Sequence, residues 1–164
     1  MDFTRILCPV DFSPYSKEAL RAASELSMRF DGTLDILHVI PPIPVTAVPV
    51  AASTFNVAAY QQQLVGDYTT ALAALAAEVL PVSLREVGAR IHSDVLHGEP
   101  AFEIVRHAQQ IGATLIVLST RGLTGWDHVL FGSVAERVVR LASCPVLTIR
   151  GAPPGGVLGV KSHL

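Results

Sequence analysis

Short apolar runs alternate with longer amphipathic segments along the chain, and this alternation predicts the secondary structure. Strands are predicted over residues 4–10, 33–40, 90–96, 114–118 and 145–149. Helical spacing of apolar side chains fills the four intervals between them. Because parallel strands joined by helices require right-handed crossovers, the pattern predicts a single doubly wound α/β domain, a five-stranded parallel sheet with helices on both faces.

Capping and stop signals mark the predicted helix boundaries. Ser13 is expected to cap the first helix with Pro14 at its first position, and Gly32 to end it. Ser133 and Glu136 have the spacing of a capping box at the start of the fourth helix. The apolar positions expected on the buried faces of the first three helices are Ala19, Ala22 or Ala23, Leu26 and Phe30, then Leu64, Tyr68, Leu72, Leu75 and Val79, then Phe102, Val105, Ala108 and Ile111.

Two segments lack the periodicity of a helix or a strand. Residues 41–56 contain several prolines and predict a long flexible loop, which is either a flap near a site, a contact for a partner, or an insert without a role. Residues 151–164 are rich in Gly and Pro and predict a poorly ordered tail or one held by a partner. Residues 1–150 therefore form the predicted domain.

The topology predicts where a ligand would bind. If the first three strands wind outward in one direction and the last two in the other, the strand order is 3-2-1-4-5 and the first and fourth strands are neighbours. In such sheets ligands bind beyond the carboxyl ends of the strands, where the order reverses. Asp11 is then expected to face the loop over residues 119–133.

That loop has the composition of a phosphate-binding segment. Gly122 and Gly132 allow close approach of the backbone, and Arg121 and the start of the fourth helix at Ser133 are positive elements for phosphate oxygens. The Walker A lysine is absent because Phe131 precedes Gly132, and no G-x-G-x-x-G follows the first strand. An ordinary surface loop with turn glycines is the alternative.

Composition excludes several classes of function. The 164 residues are 50% hydrophobic and 16% charged with a net charge of −2, which argues against a nucleic-acid-binding surface. The N-terminus lacks the layout of a signal peptide and the first strand is too short to span a bilayer, so we expect no membrane contact and a cytoplasmic protein. Cys8 and Cys144 are expected to be small core residues.

Other polar side chains offer weaker candidates for chemistry. Asp127 and His128 are expected in solvent at the crest of the loop rather than in a catalytic role. His38 and His97, at strand ends, are expected to be hydrogen-bonded scaffold rather than metal ligands. No dedicated metal site is predicted, and Mg²⁺ would arrive only with a bound nucleotide.

At this point the sequence resembles the universal stress protein family, whose ATP-binding members carry G-x2-G-x9-G-(S/T) between the fourth strand and the fourth helix. The resemblance covers nearly the whole chain. The segments that carry it are Ile6 to Ser13, His38 to Ile40, Val95 to Ala101, Gly132 to Glu136 and Ser143 to Leu147. The resemblance implies the adenine nucleotide alpha hydrolase-like fold and ATP, with or without Mg²⁺, as the ligand.

The resemblance also implies roles for individual residues. Pro9, Val10 and Asp11 would line the adenosine side, with Asp11 near the ribose, and Val39 would meet adenine through its backbone. The residues implied to follow and hold the phosphates are Leu118, Ser119, Arg121, Gly122, Gly132, Ser133 and Val134. The first glycine of the family pattern is Ser119 here, a side chain that either crowds a phosphate or donates a hydrogen bond to it.

The preferred function is thus a regulatory ATP-binding module of a stress response with little or no turnover. A slow ATPase and a dimeric scaffold that has lost nucleotide binding and acts through protein partners are the alternatives, the second of them motivated by Ser119. The fifth strand, residues 145–149, is an apolar edge, and as in the family we expect it to pair across a two-fold axis into a homodimer.

Overall fold

The computed structural model describes residues 3–42, 57–86, 90–120 and 132–150, and these residues form a five-stranded parallel sheet in the order β3-β2-β1-β4-β5. The strands are β1 (Arg5–Pro9), β2 (Thr33–Ile40), β3 (Ile91–His97), β4 (Leu115–Ser119) and β5 (Val146–Ile149). The helices are α1 (Pro14–Arg29), α2 (Val57–Val79), α3 (Val82–Glu86), α4 (Pro100–Ile111) and α5 (Ser133–Leu141). The predicted fold class and strand order are confirmed.

Each face of the sheet packs against its own pair of long helices, because side chains alternate along every strand. Ile6, Cys8 and Val10 of the β1 segment lie on the face covered by α1 and α2. Leu7 lies on the opposite face, covered by α4 and α5. The central strands are therefore buried on both sides, as their continuous apolar sequences predict.

The first helix confirms the predicted capping. The Ser13 hydroxyl accepts a hydrogen bond from the Ser16 amide at 3.1 Å, and Pro14 occupies the first helical position. At the other end Phe30 is the C-cap rather than a core residue, and its ring packs edge-on against Phe3 with centroids 5.2 Å apart. The predicted apolar face of α1 is thus one turn too long.

The predicted buried face of α4 is partly wrong. Phe102 is 54% exposed, whereas Ala101 and Ile104 are buried against the sheet. Residues 101, 104, 105 and 108 form the true face, since they follow the helical period from the first turn. Phe102 instead lies beneath the guanidinium of Arg137 from α5, whose Cζ is 5.0 Å from the ring centroid.

Several predictions fall on residues outside the described ranges. The proline-rich loop, apart from Pro41 and Pro42, and the tail over residues 151–164 belong to this group. The spacing of apolar residues does not predict the short helix α3. β3 and β5 are the two edges of the sheet, as expected for both strands.

Candidate functional site

Three chain segments meet at the carboxyl edge of the sheet where the strand order reverses. β1 pairs with both β2 and β4, so the segment that follows β1 lies between the ends of those two strands. The amide of Gly132 donates to the carbonyl of Thr120 at 2.7 Å, which brings the start of α5 to the end of β4. Thr120 is held in turn, because its amide donates to Ile149 of β5 at 3.1 Å. The predicted switch point is confirmed.

Helix α5 begins at Ser133, as predicted, but its N-cap residue differs from the prediction. Gly132, not Ser133, is the N-cap residue, and Ser133 is the first helical residue, exposed to solvent. The physical reason is the bond from Gly132 to Thr120, which holds Gly132 in the extended N-cap conformation, so that Ser133 enters the helix and does not cap it. The predicted capping box of Ser133 with Glu136 is therefore wrong. The Glu136 carboxylate oxygen Oε1 instead lies 3.8 Å from Nη1 of Arg140, one turn further along the helix.

A glycine N-cap leaves this helix end without a side-chain cap. In α1 the Ser13 hydroxyl accepts an amide of the first turn, and in α4 the carboxylate of Glu99 accepts the Phe102 amide at 3.0 Å. Gly132 has no side chain with which to do the same in α5. The first-turn N–H groups of α5 carry the positive end of the helix dipole and suit an anion such as phosphate.

The turn after β1 holds Asp11 in a defined orientation. One carboxylate oxygen of Asp11 accepts the Ser13 amide at 3.0 Å. Between them Phe12 has a φ of 63°, a left-handed conformation that is rare for a bulky residue. Such a conformation costs on the order of 1–3 kcal/mol and persists only where surrounding contacts enforce it. The strained turn thus orients the carboxylate that the family resemblance implies near a ribose.

The pairing of β1 with β2 ends just before this turn. The last pair is Pro9 with Leu37, and the Val10 amide still donates to the Leu37 carbonyl at 2.8 Å. Main-chain groups alternate along a strand, so the peptide groups of Val39 face the same side as those of Leu37. They lie beyond the last pair, at the edge where adenine is expected.

His38 packs against two aromatic rings beside this strand end. Its ring centroid is 4.7 Å from that of Phe12 and 4.5 Å from that of Tyr68 on α2. Nδ1 lies 2.8 Å from the carbonyl oxygen of Val10, and because a carbonyl only accepts, Nδ1 carries the proton. His38 is therefore hydrogen-bonded scaffold, as predicted.

The environment of His38 favours its neutral form. Nε2 is buried and finds no hydrogen-bond partner in the part of the chain that the structure describes. Burial lowers the pKa of His38 from its ordinary value of 6.5, while the bond to Val10 and the charge of Asp11 act in the opposite direction. The folded protein thus binds this proton less readily than the unfolded chain does.

Stability should consequently decline on mild acidification. The neutral imidazole contributes stability that is fully present above pH 6.5 and is lost as the pH falls below 6.5 toward the lowered pKa. We expect the unfolding free energy of the wild type to fall more than that of His38→Asn between about pH 7 and about pH 5.5, measured by urea titration. Carboxylate contributions are common to both proteins and cancel. Equal losses in the two proteins would contradict the neutral, buried state of His38.

The structure brings together most of the predicted site residues. Val10, Val39 and Leu118 are buried, while those that are half-buried or exposed at the edge are Pro9, Asp11, Ser119, Gly132, Ser133 and Val134. Arg121, Gly122, Asp127 and His128 lie outside the described residues. The sequence did not indicate Tyr68 as part of this edge. It placed Thr120 and Phe12 in the predicted loop and turn but assigned them no contact, because these contacts join segments far apart in the chain.

Other features of the described residues limit the chemistry. No group of three or more His, Cys, Asp or Glu side chains in the described ranges is placed to hold a metal ion. Burial raises the pKa of the thiols of Cys8 and Cys144, so both favour the unreactive protonated form. Among the helices described, none is long and apolar enough to cross a membrane.

The fold and the site define a doubly wound α/β protein in which a helix start without a side-chain cap lies at the switch point. A model of the universal stress protein family matches residues 2–150. Universal stress protein MJ0531 of Methanocaldococcus jannaschii is 33% identical over 148 residues, which are 90% of this chain and 82% of that protein. Universal stress protein YxiE of Bacillus subtilis is 30% identical over 90% of this chain and 99% of its own length. The chain belongs to the universal stress protein family.

Solved structures share the fold over nearly all of this chain. The hypothetical protein MJ0577 has a TM-score of 0.74 at 24% identity, with 93% of this chain and 99% of that chain covered. A universal stress protein in complex with cAMP has a TM-score of 0.57 at 19% identity, covering 93% and 100%. A universal stress protein from Archaeoglobus fulgidus in complex with dAMP has a TM-score of 0.59 at 22% identity, covering 92% and 100%.

Proposed function

We propose that this protein binds ATP at the carboxyl edge of its sheet and acts as a regulatory module of a stress response with little or no turnover. The observation that carries the proposal is the start of α5, where Gly132 is tied to Thr120 and supplies no side-chain cap. Such a helix end accepts phosphate without a lysine. The complexes of two family members with cAMP and dAMP support an adenine nucleotide as the ligand.

The described contacts support a division of the site into two parts. Val10 has its amide bonded to Leu37 and its carbonyl to His38, so it would serve adenosine as an apolar wall. Asp11, oriented by the Ser13 amide, would accept a ribose hydroxyl. On the phosphate side the Ser133 hydroxyl would donate to a phosphate oxygen. The N–H groups of the first turn of α5, those of Ser133 and Val134 among them, would donate as well.

Residues near the end of β4 would complete the phosphate side. Leu118 is buried beneath this edge and Ser119 ends the strand in register with Ile149. We propose that the Ser119 hydroxyl donates to a phosphate oxygen, in place of the close approach that glycine allows in the family pattern. Arg121 and Gly122 enter the proposal on the resemblance alone, and Mg²⁺ would be held by phosphate oxygens and water.

The direct test is to release and identify the bound nucleotide. We expect denaturation of the purified protein to release an adenine nucleotide detectable by mass spectrometry. The stripped protein should then bind ATP saturably in calorimetry. The reason is that the uncapped start of α5 would hold the phosphates while the peptide groups of Val39 would meet the base. Absence of both results would favour the scaffold function. Phosphate release above that of a Gly132 variant would favour the slow ATPase.

We also propose a homodimer, in the cytoplasm, formed through β5. Within the described residues β5 pairs only with β4, so its outer edge presents unpaired peptide groups. Leu147 on this strand is 39% exposed, and Met28 of α1 beside it is 42% exposed. A second β5 would pair the peptide groups and cover this apolar surface.

A further inference from the structure

The end of the β1–β2 ladder is an irregular feature of this edge that the proposed roles leave unexplained. In a parallel ladder, a residue that donates its amide to one carbonyl accepts at its own carbonyl from the amide two residues further along the partner strand. Val10 donates to Leu37, so the regular continuation would join the Val10 carbonyl to the Val39 amide. The pairing instead stops at Pro9 with Leu37.

The imidazole of His38 takes the place of that next ladder bond. Its protonated Nδ1 lies 2.8 Å from the Val10 carbonyl oxygen, the acceptor that the Val39 amide would otherwise use. His38 immediately precedes Val39, but the two side chains lie on opposite faces of the sheet. Val39 packs with the α4 side, while His38 contacts Phe12 and Tyr68 on the α2 side. The His38 side chain thus reaches the Val10 carbonyl from the α2 face of the sheet, opposite the face on which the Val39 side chain packs.

The aromatic contacts leave the imidazole little freedom to turn away. His38 is 8% exposed, and the rings of Phe12 and Tyr68 are themselves stacked, with centroids 5.8 Å apart and an interplanar angle of 23°. Phe12 belongs to the strained turn next to Asp11. One cluster therefore holds the Val10 carbonyl, the turn and α2 together.

We propose that His38 is a positioning residue for base recognition: by holding the Val10 carbonyl it ends the β1–β2 ladder and keeps the peptide groups of Val39 available to adenine. This inference rests on the proposed function of the site. The Val39 amide would donate to a ring nitrogen of adenine and its carbonyl would accept from the exocyclic amino group. Guanine presents the opposite donor and acceptor pattern at that edge, so Val39 would also discriminate between the two bases.

The first test uses the free protein and does not depend on nucleotide. Hydrogen exchange followed by NMR should show the Val39 amide exchanging faster than the Leu37 amide in the wild type, since only Leu37 lies within the ladder. In His38→Phe, which keeps a ring in the stack but cannot donate, the Val39 amide should become protected as the ladder extends. His38→Asn carries an N–H close to the Nδ1 position and should keep the wild-type pattern.

The second test separates base from phosphate by titrating ATP and inorganic tripolyphosphate. In His38→Phe we expect ATP affinity to fall by about tenfold and its preference over GTP to shrink, with tripolyphosphate affinity unchanged. His38→Asn should retain both affinities. The matched control is Leu84→Ala, which removes a buried side chain near Gly32 at the opposite edge of the sheet, and should lower stability without changing either affinity.

The outcomes distinguish the inference from the proposed function. An unchanged Val39 exchange rate in a folded His38→Phe, or a wild-type Val39 amide as protected as Leu37, would overturn the inference. Equal weakening of ATP and tripolyphosphate would also overturn it, because a general structural role would affect both ligands. If the wild type shows the expected exchange pattern but binds no ATP, the proposed function is overturned, and with it the recognition of adenine by Val39. The conclusion that His38 ends the β1–β2 ladder would stand in that case.

Discussion

Replacing Gly132 with valine is expected to weaken ATP binding by about 100-fold while the protein keeps its fold. Gly132 has φ −66° and ψ 151°, which any residue adopts, so the backbone itself does not resist the change. A Cβ at this position would lie 3.3 Å from the Thr120 carbonyl oxygen, closer than ordinary contact. Thr120 or the helix start must yield by a few tenths of an ångström, and we expect this shift, together with the two added methyl groups of valine beside the helix start, to displace the first-turn N–H groups from the phosphate. Calorimetric titration with ATP measures the effect, and circular dichroism confirms the fold.

Two further glycine variants make this prediction specific. Gly132→Ala adds only the Cβ and should cause a smaller loss of affinity than valine does. Gly66→Ala, on α2, adds a methyl group with nothing within 4 Å and should leave ATP affinity unchanged. It should also stabilise the helix by about 0.5–1 kcal/mol. Undiminished ATP binding by Gly132→Val would show that phosphate does not lie at the start of α5.

Replacing Leu147 with lysine is expected to convert the proposed dimer into a monomer. The substitution places a charge on the exposed edge strand, where pairing with a second β5 would remove it from water. We expect the dimer dissociation constant to rise by about 100-fold, equivalent to about 2.7 kcal/mol. Light scattering over a range of protein concentrations measures the change, and the wild type should show twice the mass of one chain.

A lysine elsewhere on the surface provides the matched control. Val82 on α3 is 58% exposed, and α3 follows α2 rather than adjoining β5. Val82→Lys adds the same charge and should leave the dimer intact. A wild-type protein that remains monomeric at micromolar concentration, or a Leu147→Lys protein that remains dimeric, would exclude β5 as the interface.

Sequence patterns predicted the elements that depend on local signals. The strand over residues 33–40 matches β2 residue for residue, because its apolar run is bounded by a glycine turn and by prolines. Ser13 and Pro14 start α1 as predicted, since capping depends on residues within one turn. Right-handed crossovers restrict the possible strand orders, and the predicted doubly wound order 3-2-1-4-5 is the one that the structure has.

The errors arose where a distant contact decided the outcome. Ser133 has the sequence of an N-cap, yet the bond between Gly132 and Thr120 places the N-cap one residue earlier, at Gly132. Phe102 has the hydrophobicity of a core residue, but Arg137 from another helix covers it at the surface. The role of His38 depends on Val10, 28 positions away, and no local pattern encodes that hydrogen bond.

Hydrogen bonds between peptide groups connect the segments at the carboxyl edge of this sheet. The main-chain bonds that fasten it are Val10 to Leu37, Gly98 to Ile40, Thr120 to Ile149 and Gly132 to Thr120. At Val10 and Thr120, replacement by any residue other than proline keeps the amide donor and therefore the bond. Side chains around the edge are therefore able to diverge while its geometry persists. Relatives sharing about a third of their residues with this chain are expected to retain the same main-chain geometry at this edge while the side chains around it differ.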